Sequence, residues 1–113
     1  MTALPFDDKR FIEICRQNDV AQLGVFGSTA RGEAHEQSDI DLLVEFSKPK
    51  SLLSLIALEQ QLESVLSRKV DLLTKAAISP YWRERILREL RIVYEARGNI
   101  FYADTIGTRP VVV

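Results

Sequence analysis

Between Asp39 and Phe46 the chain alternates, with Ile40, Leu42, Val44 and Phe46 apolar and Asp39, Asp41 and Glu45 acidic between them, Leu43 being the exception. A period of two is that of a pleated strand, whose side chains point by turns to opposite faces. One face of this strand must enter a core. The other carries Asp39 and Asp41 together, roughly 7 Å apart along the backbone. A chain built around such a strand needs a sheet, a layer covering one face, and something to do with paired negative charge on the other.

The remaining elements follow from similar signals. Asp7 and Asp8 stand where acids open a helix, and Phe11, Ile14 and Cys15 recur at helical spacing up to about Asn18. Val20–Phe26 is short, apolar and bounded by Asp19 and Gly27, which predicts a buried strand. Ser28 is expected to cap a single helical turn stopped by Gly32, with a polar loop from Glu33 to Ser38. Pro49 and Ser51 introduce a long helix with the stripe Leu52, Leu55, Leu58, Leu62, Val65 and Leu66, beside Glu59, Gln60 and Glu63. Val70–Thr74 predicts a third strand. Ser79-Pro80 is an N-cap followed by a first-turn proline, opening a helix with Trp82, Ile86, Leu87 and Leu90 as its expected buried face, and Ile92–Tyr94 predicts a last strand. The order yields an α/β (α+β) domain, a single mixed sheet with helices packed mainly on one face. Residues 1–97 are expected to form this domain, with 98–113 a tail to which the sequence assigns no role.

Bulk properties narrow the setting. The 113 residues suffice for one modest core. A net charge of −1 argues against the basic footprint of a non-specific nucleic-acid binder, so no direct nucleic-acid binding is expected. Cys15 is the only cysteine, which excludes an internal disulfide and suits a reducing compartment. The first residues lack a basic stretch followed by an apolar run, and the most apolar segment, Leu52–Leu58, is far short of a membrane span. A cytoplasmic protein without membrane attachment is the expectation.

Chemistry enters through three groups. Asp39 and Asp41 can converge on one metal ion or bridge two about 3.5–4 Å apart. Mg²⁺ suits such a pair, because it takes one or two carboxylates and completes its shell with phosphates and water. Asp-x-Asp is also common at solvated edges and in loop caps, so the pair alone does not establish a site. Gly27-Ser28 follows a strand and begins a helical turn, where free backbone N–H groups favour a phosphate and the serine hydroxyl can donate. Read alone it is equally a strand-ending glycine and a simple cap, and no Gly-Lys-Ser/Thr follows to make a Walker A loop. Asp71 interrupts the apolar run Val70, Leu72, Leu73, where burial of a charge is costly without a partner or a cation. If its strand neighbours the second, Asp71 can join the same site and accept a proton; otherwise it is an aspartate on a sheet edge.

Taken together, Gly27-Ser28, ten intervening residues and Asp39-Ile40-Asp41 resemble the Gly-Ser-x10-Asp-x-Asp signature of the DNA polymerase β-like nucleotidyltransferase superfamily. The fuller runs Phe26–Glu33, Ser38–Val44 and Val70–Thr74 resemble its minimal branch, which includes the MntA-type antitoxins paired with HEPN-domain toxins. The resemblance spans about residues 20–95. It implies that Asp39 and Asp41 hold Mg²⁺, most simply two ions, that Asp71 completes a catalytic triad, and that Gly27 and Ser28 hold the triphosphate of ATP. Arg31, one turn past Ser28, can touch a phosphate or the acceptor, and is equally a surface arginine.

Larger members of the superfamily carry an added helical domain for an antibiotic or polynucleotide acceptor, and no such domain is expected after Leu90. The resemblance therefore implies AMP transfer from ATP to a tyrosine of a HEPN-type toxin, an RNase, in a hetero-oligomer with that partner. A non-catalytic antitoxin acting by steric block, a small-molecule nucleotidyltransferase with a separate substrate-binding subunit, and a nucleotide-binding regulator compete with it. Arg83, Arg85, Arg88 and Arg91, with Glu84 and Glu89 between them, are expected to form a solvated helix face. His35 has no cysteine or histidine beside it and is not expected to bind metal.

Overall fold

In the computed structural model, Asp8 caps the first helix, α1 (Lys9–Gln17), its carboxylate accepting the Arg10 N–H at 2.7 Å, and Asn18 closes it. The chain then forms β1 (Val20–Phe26), α2 (Gly27–Arg31), β2 (Ile40–Phe46), α3 (Leu52–Leu66), β3 (Val70–Thr74), a 3-10 turn at Lys75–Ala77, α4 (Pro80–Glu89) and β4 (Arg91–Glu95). Residues 4–34 and 37–96 are described; His35 and the 98–113 segment lie outside them. No helix among the described residues is long and apolar enough to cross a membrane.

The four strands form one mixed sheet in the order β3-β2-β1-β4. β1 runs antiparallel to both β2 and β4, whereas β2 and β3 are parallel, with α3 as the crossover between them. The alternation in β2 sorts its residues as expected. Ile40, Leu42 and Val44 face α1 and α3 and form one core with Phe11, Cys15, Leu23, Leu58 and Leu62. Of these, Phe11, Cys15, Leu23, Ile40, Leu42, Leu58 and Leu62 have no exposed surface at all. Each such aliphatic or aromatic side chain contributes about 1.5–3 kcal/mol by leaving water.

The opposite face carries a smaller cluster, Phe26, Leu43 and Ile78, with Leu73 and, from the end of the last helix, Ile86 and Leu90 packed on it. Helices thus lie mainly on one face, with α4 crossing the other. Gly24 of β1 admits this contact: a Cβ there would lie 2.6 Å from Leu90 Cδ1.

Strand β3 is a sheet edge, and α3 shields it. Glu63 accepts the outward Val70 N–H at 3.0 Å and Glu59 the Leu72 N–H at 3.1 Å. These two glutamates, one helical turn apart, satisfy donors that would otherwise invite another strand.

Three local expectations are corrected. Ser28 does not cap α2; the capping position is Phe26, which makes no side-chain cap bond, while Gly32 does close the turn in the left-handed region at φ 76°. Leu52 is 70% exposed although it fits the α3 stripe, because helical period reports the face of a helix and not how far the layer beneath it extends. Trp82 and Leu87 are likewise exposed, and α4 buries no residue fully. Trp82 instead meets Tyr81 edge to face and lies under the Arg85 guanidinium, 5.7 Å from the ring centre.

Candidate active site

The site sits on the α4 side of the sheet, at the end of β1 and the start of β2. Phe26 pairs with Asp41 across the antiparallel ladder, so the residue after Phe26 turns over the Asp41 side chain. That residue is Gly27, with φ 72°. A Cβ at this position would stand 2.3 Å from Asp41 Oδ2, closer than any real contact. Glycine is therefore required twice, for its left-handed backbone and for the absence of a side chain above a carboxylate. Ser28 follows, half-buried in the first turn of α2.

Asp41 and Asp71 are direct partners in the parallel ladder between β2 and β3. Neighbouring strands lie about 4.8 Å apart, and paired residues share a face, so both carboxylates rise from the same side of the sheet. Asp39 precedes β2 by one residue and has the same parity as Asp41. It is exposed, as is Asp71. Both readings open for Asp71 hold in part: its strand neighbours β2, and as an edge strand it leaves the side chain in water.

Asp41 is the half-buried member of the three. Its carboxyl is pushed above the ordinary aspartate range, first by burial and then by the negative charges of Asp71 and Asp39, with Glu89 adding and Arg31 opposing. Three aspartates brought into one electrostatic neighbourhood, one of them poorly solvated, create the conflict that a divalent cation relieves. Among the described residues no three carboxylate, imidazole or thiol groups gather tightly enough to form a ready-made metal cage. Mg²⁺ does not need one, since it retains water and takes phosphate oxygens beside one or two carboxylates. The all-oxygen donor set of Asp39, Asp41 and Asp71 fits that ion.

Arg31, at the last position of α2, sends its guanidinium to Glu33 at 3.1 Å and to Glu89 Oε2 at 3.1 Å. Glu89 was not singled out by sequence reasoning, which placed it on a solvated face. Its other oxygen accepts the backbone N–H of Gly27 at 3.1 Å, and Arg85 approaches Oε2 at 3.4 Å. Burial raises the Glu89 carboxyl, but the bonds from Gly27 and Arg31 outweigh it and hold it below the usual glutamate value. The Arg85–Glu89 pair at i,i+4 is legible in sequence, yet nothing local signals a contact reaching 62 residues back to Gly27. Thr29 Oγ1, in the same turn, is buried and makes no hydrogen bond.

The arrangement is a carboxylate cluster beside a glycine-opened turn with an arginine at its far end. Such a turn and cluster can take a metal-bound polyphosphate, the N–H groups and guanidinium meeting anionic oxygens and the carboxylates meeting the cation. Known proteins share this sequence pattern and fold. Protein adenylyltransferase MntA of Thermococcus cleftensis is 44% identical over 78 residues, covering 69% of this chain and 79% of that protein. A crystal structure of a toxin–antitoxin with AMP-PNP shares the fold, with a TM-score of 0.68 and 24% identity over 83% of this chain and 76% of that one. So does an MNT antitoxin in complex with the tri-AMPylated HEPN toxin of Shewanella oneidensis, with a TM-score of 0.56 and 22% identity over 76% of this chain and 67% of that one. The nucleotidyltransferase domain profile matches residues 8–93, from the cap of α1 into β4, and the chain belongs to that family.

Proposed function

We propose that this protein is a protein adenylyltransferase, an antitoxin that moves the AMP of ATP onto a tyrosine of a HEPN-type toxin and so silences it. The observation that carries the reading is the pairing of Asp41 with Asp71 directly beside a glycine that leaves no atom over Asp41. The 44% identity to protein adenylyltransferase MntA supports the choice of a protein acceptor. The chemistry of the neighbouring folds, one seen with AMP-PNP and one with an AMPylated toxin, points the same way.

In this reading the acceptor oxygen attacks the α-phosphorus of ATP, the bond from that phosphorus to the bridging oxygen breaks, and pyrophosphate leaves. Asp39 and Asp41, with Asp71, would hold Mg²⁺, which supplies Lewis-acid stabilisation of charge developing on the phosphates. Gly27 and Ser28 position the triphosphate through a backbone N–H and a hydroxyl, and Arg31 offers a guanidinium to it. Asp71, the exposed carboxylate, accepts the proton of the acceptor hydroxyl. Its exposure on an edge strand suits an acceptor delivered by another protein. A partner-bound hetero-oligomer in the cytoplasm is the setting that fits a single reduced thiol and a domain of this size.

The test is to incubate the protein with Mg²⁺ and α-labelled ATP, with and without a co-purified HEPN-type partner, beside the Asp39→Asn/Asp41→Asn variant. Label on the partner, pyrophosphate in solution, and loss of both in the variant are expected. Partner and nucleotide binding with no movement of label would overturn the reading in favour of a steric antitoxin.

A further inference from the structure

We propose that Glu89 is a built-in competitor for the nucleotide, occupying the two donors that its phosphates need and releasing them only when a triphosphate arrives. This inference rests on the functional reading above and adds a regulatory residue to it. A carboxylate that accepts one backbone N–H at a helical turn and one guanidinium presents the same oxygens, to the same donors, as a phosphate does. Glu89 does both, at 3.1 Å from Gly27 N and 3.1 Å from Arg31 Nη1. It reaches them from α4, across 62 and 58 residues of chain, so the contact is a tertiary latch and not a local turn.

The surroundings support displacement over permanent fixture. The Glu89 side chain keeps 18% of its surface in water, enough to leave by a rotamer change. Arg31 is held between Glu89 and Glu33, and a triphosphate would have to draw it from both. Arg85 approaches the same Glu89 oxygen as Arg31 and can retain the carboxylate on its own helix once Arg31 turns away. Nucleotide arrival therefore exchanges one anion for another on Gly27 and Arg31, and at the same time frees the end of α4 from α2. The outer side of that helix carries Tyr81, 82% exposed, and the half-exposed Trp82.

The experiment measures equilibrium binding of ATP with Mg²⁺, and of adenosine, to the full chain as wild type, Glu89→Gln and Glu84→Gln. Glu84 pairs with Arg88 on the exposed side of α4 and serves as the matched loss of one charge. Glu89→Gln keeps the side-chain length and an acceptor for Gly27 but removes the charge facing Arg31. ATP binding is expected to tighten about two- to fivefold in Glu89→Gln, the range of one partly exposed ion pair, with adenosine unchanged and Glu84→Gln like wild type. Glu89→Asp, which draws the charge back by one methylene, should tighten ATP in the same direction should Glu89→Gln fold poorly. Equal or weaker ATP binding in the Glu89 variants overturns the proposal and makes Glu89 a strut between α2 and α4. Tightening without label transfer by wild type would sink the catalytic reading alone, and failure of every variant to bind ATP would sink both.

Discussion

Replacing Gly27 by alanine separates a backbone effect from a site effect, because Gly32 supplies an internal reference. Both glycines sit in the left-handed region, at φ 72° and 76°, where alanine costs about 1 kcal/mol. Around Gly32 a Cβ meets nothing within 4 Å. Gly32→Ala should therefore lose only that ~1 kcal/mol, a fall of about 4–8 °C in Tm for a domain of this size. At Gly27 the same Cβ lands 2.3 Å from Asp41 Oδ2, so the carboxylate must turn aside. An off-rotamer side chain adds about 0.5–1.5 kcal/mol, for a total near 2 kcal/mol. The larger consequence is functional. A carboxylate moved by about 1 Å in a positioned site can lower turnover by about 10²-fold. Urea unfolding and AMP-transfer rates on both variants read the two effects separately.

A double-mutant cycle tightens the comparison. In an Asp41→Ala background the obstruction is gone, so Gly27→Ala should then cost no more than Gly32→Ala, about 1 kcal/mol. A coupling energy of zero between positions 27 and 41 would refute the steric argument. So would a Gly32→Ala variant that loses as much transfer activity as Gly27→Ala, since no contact distinguishes it.

Two further outcomes follow from the packing. Glu59→Ala/Glu63→Ala leaves the Leu72 and Val70 N–H groups on the β3 edge without partners, which should cost about 1–3 kcal/mol by urea unfolding and produce concentration-dependent self-association in light scattering; a stable monomer would contradict the shielding role. Cys15 is fully buried and its thiol is pushed up to about 12 by that burial. The folded state then holds its proton where the unfolded chain, with an ordinary thiol near pH 8.5, releases it. Stability from this group is intact below about pH 8.5 and falls by roughly 1.4 kcal/mol per pH unit above it, until the folded thiol titrates. Wild type and Cys15→Ala should show a constant stability difference up to about pH 8 that shrinks as pH rises, and a difference independent of pH up to 10 would refute it.

The elements of this chain and their bounds were legible locally. The alternation from Asp39 to Phe46, the Asp8, Ser51 and Ser79 caps and the Gly32 stop each act within a few residues, and the structure places β1, β2 and β3 where pattern alone predicts them. The Gly27-Ser28 and Asp39-x-Asp41 spacing is likewise legible in the chain, and the fold brings Gly27 directly over Asp41. What periodicity could not supply was the depth of each layer, so Leu52, Trp82 and Leu87 were expected inside and lie outside. Nor could it tell that β3 would run parallel beside β2 with Asp71 opposite Asp41, since register is decided by which apolar faces meet across the α3 crossover. The Glu89 contact with Gly27 and Arg31 is the clearest case. It depends on α4 crossing the second face of the sheet, admitted by a glycine at position 24, and such long-range closeness leaves no periodic trace in the chain.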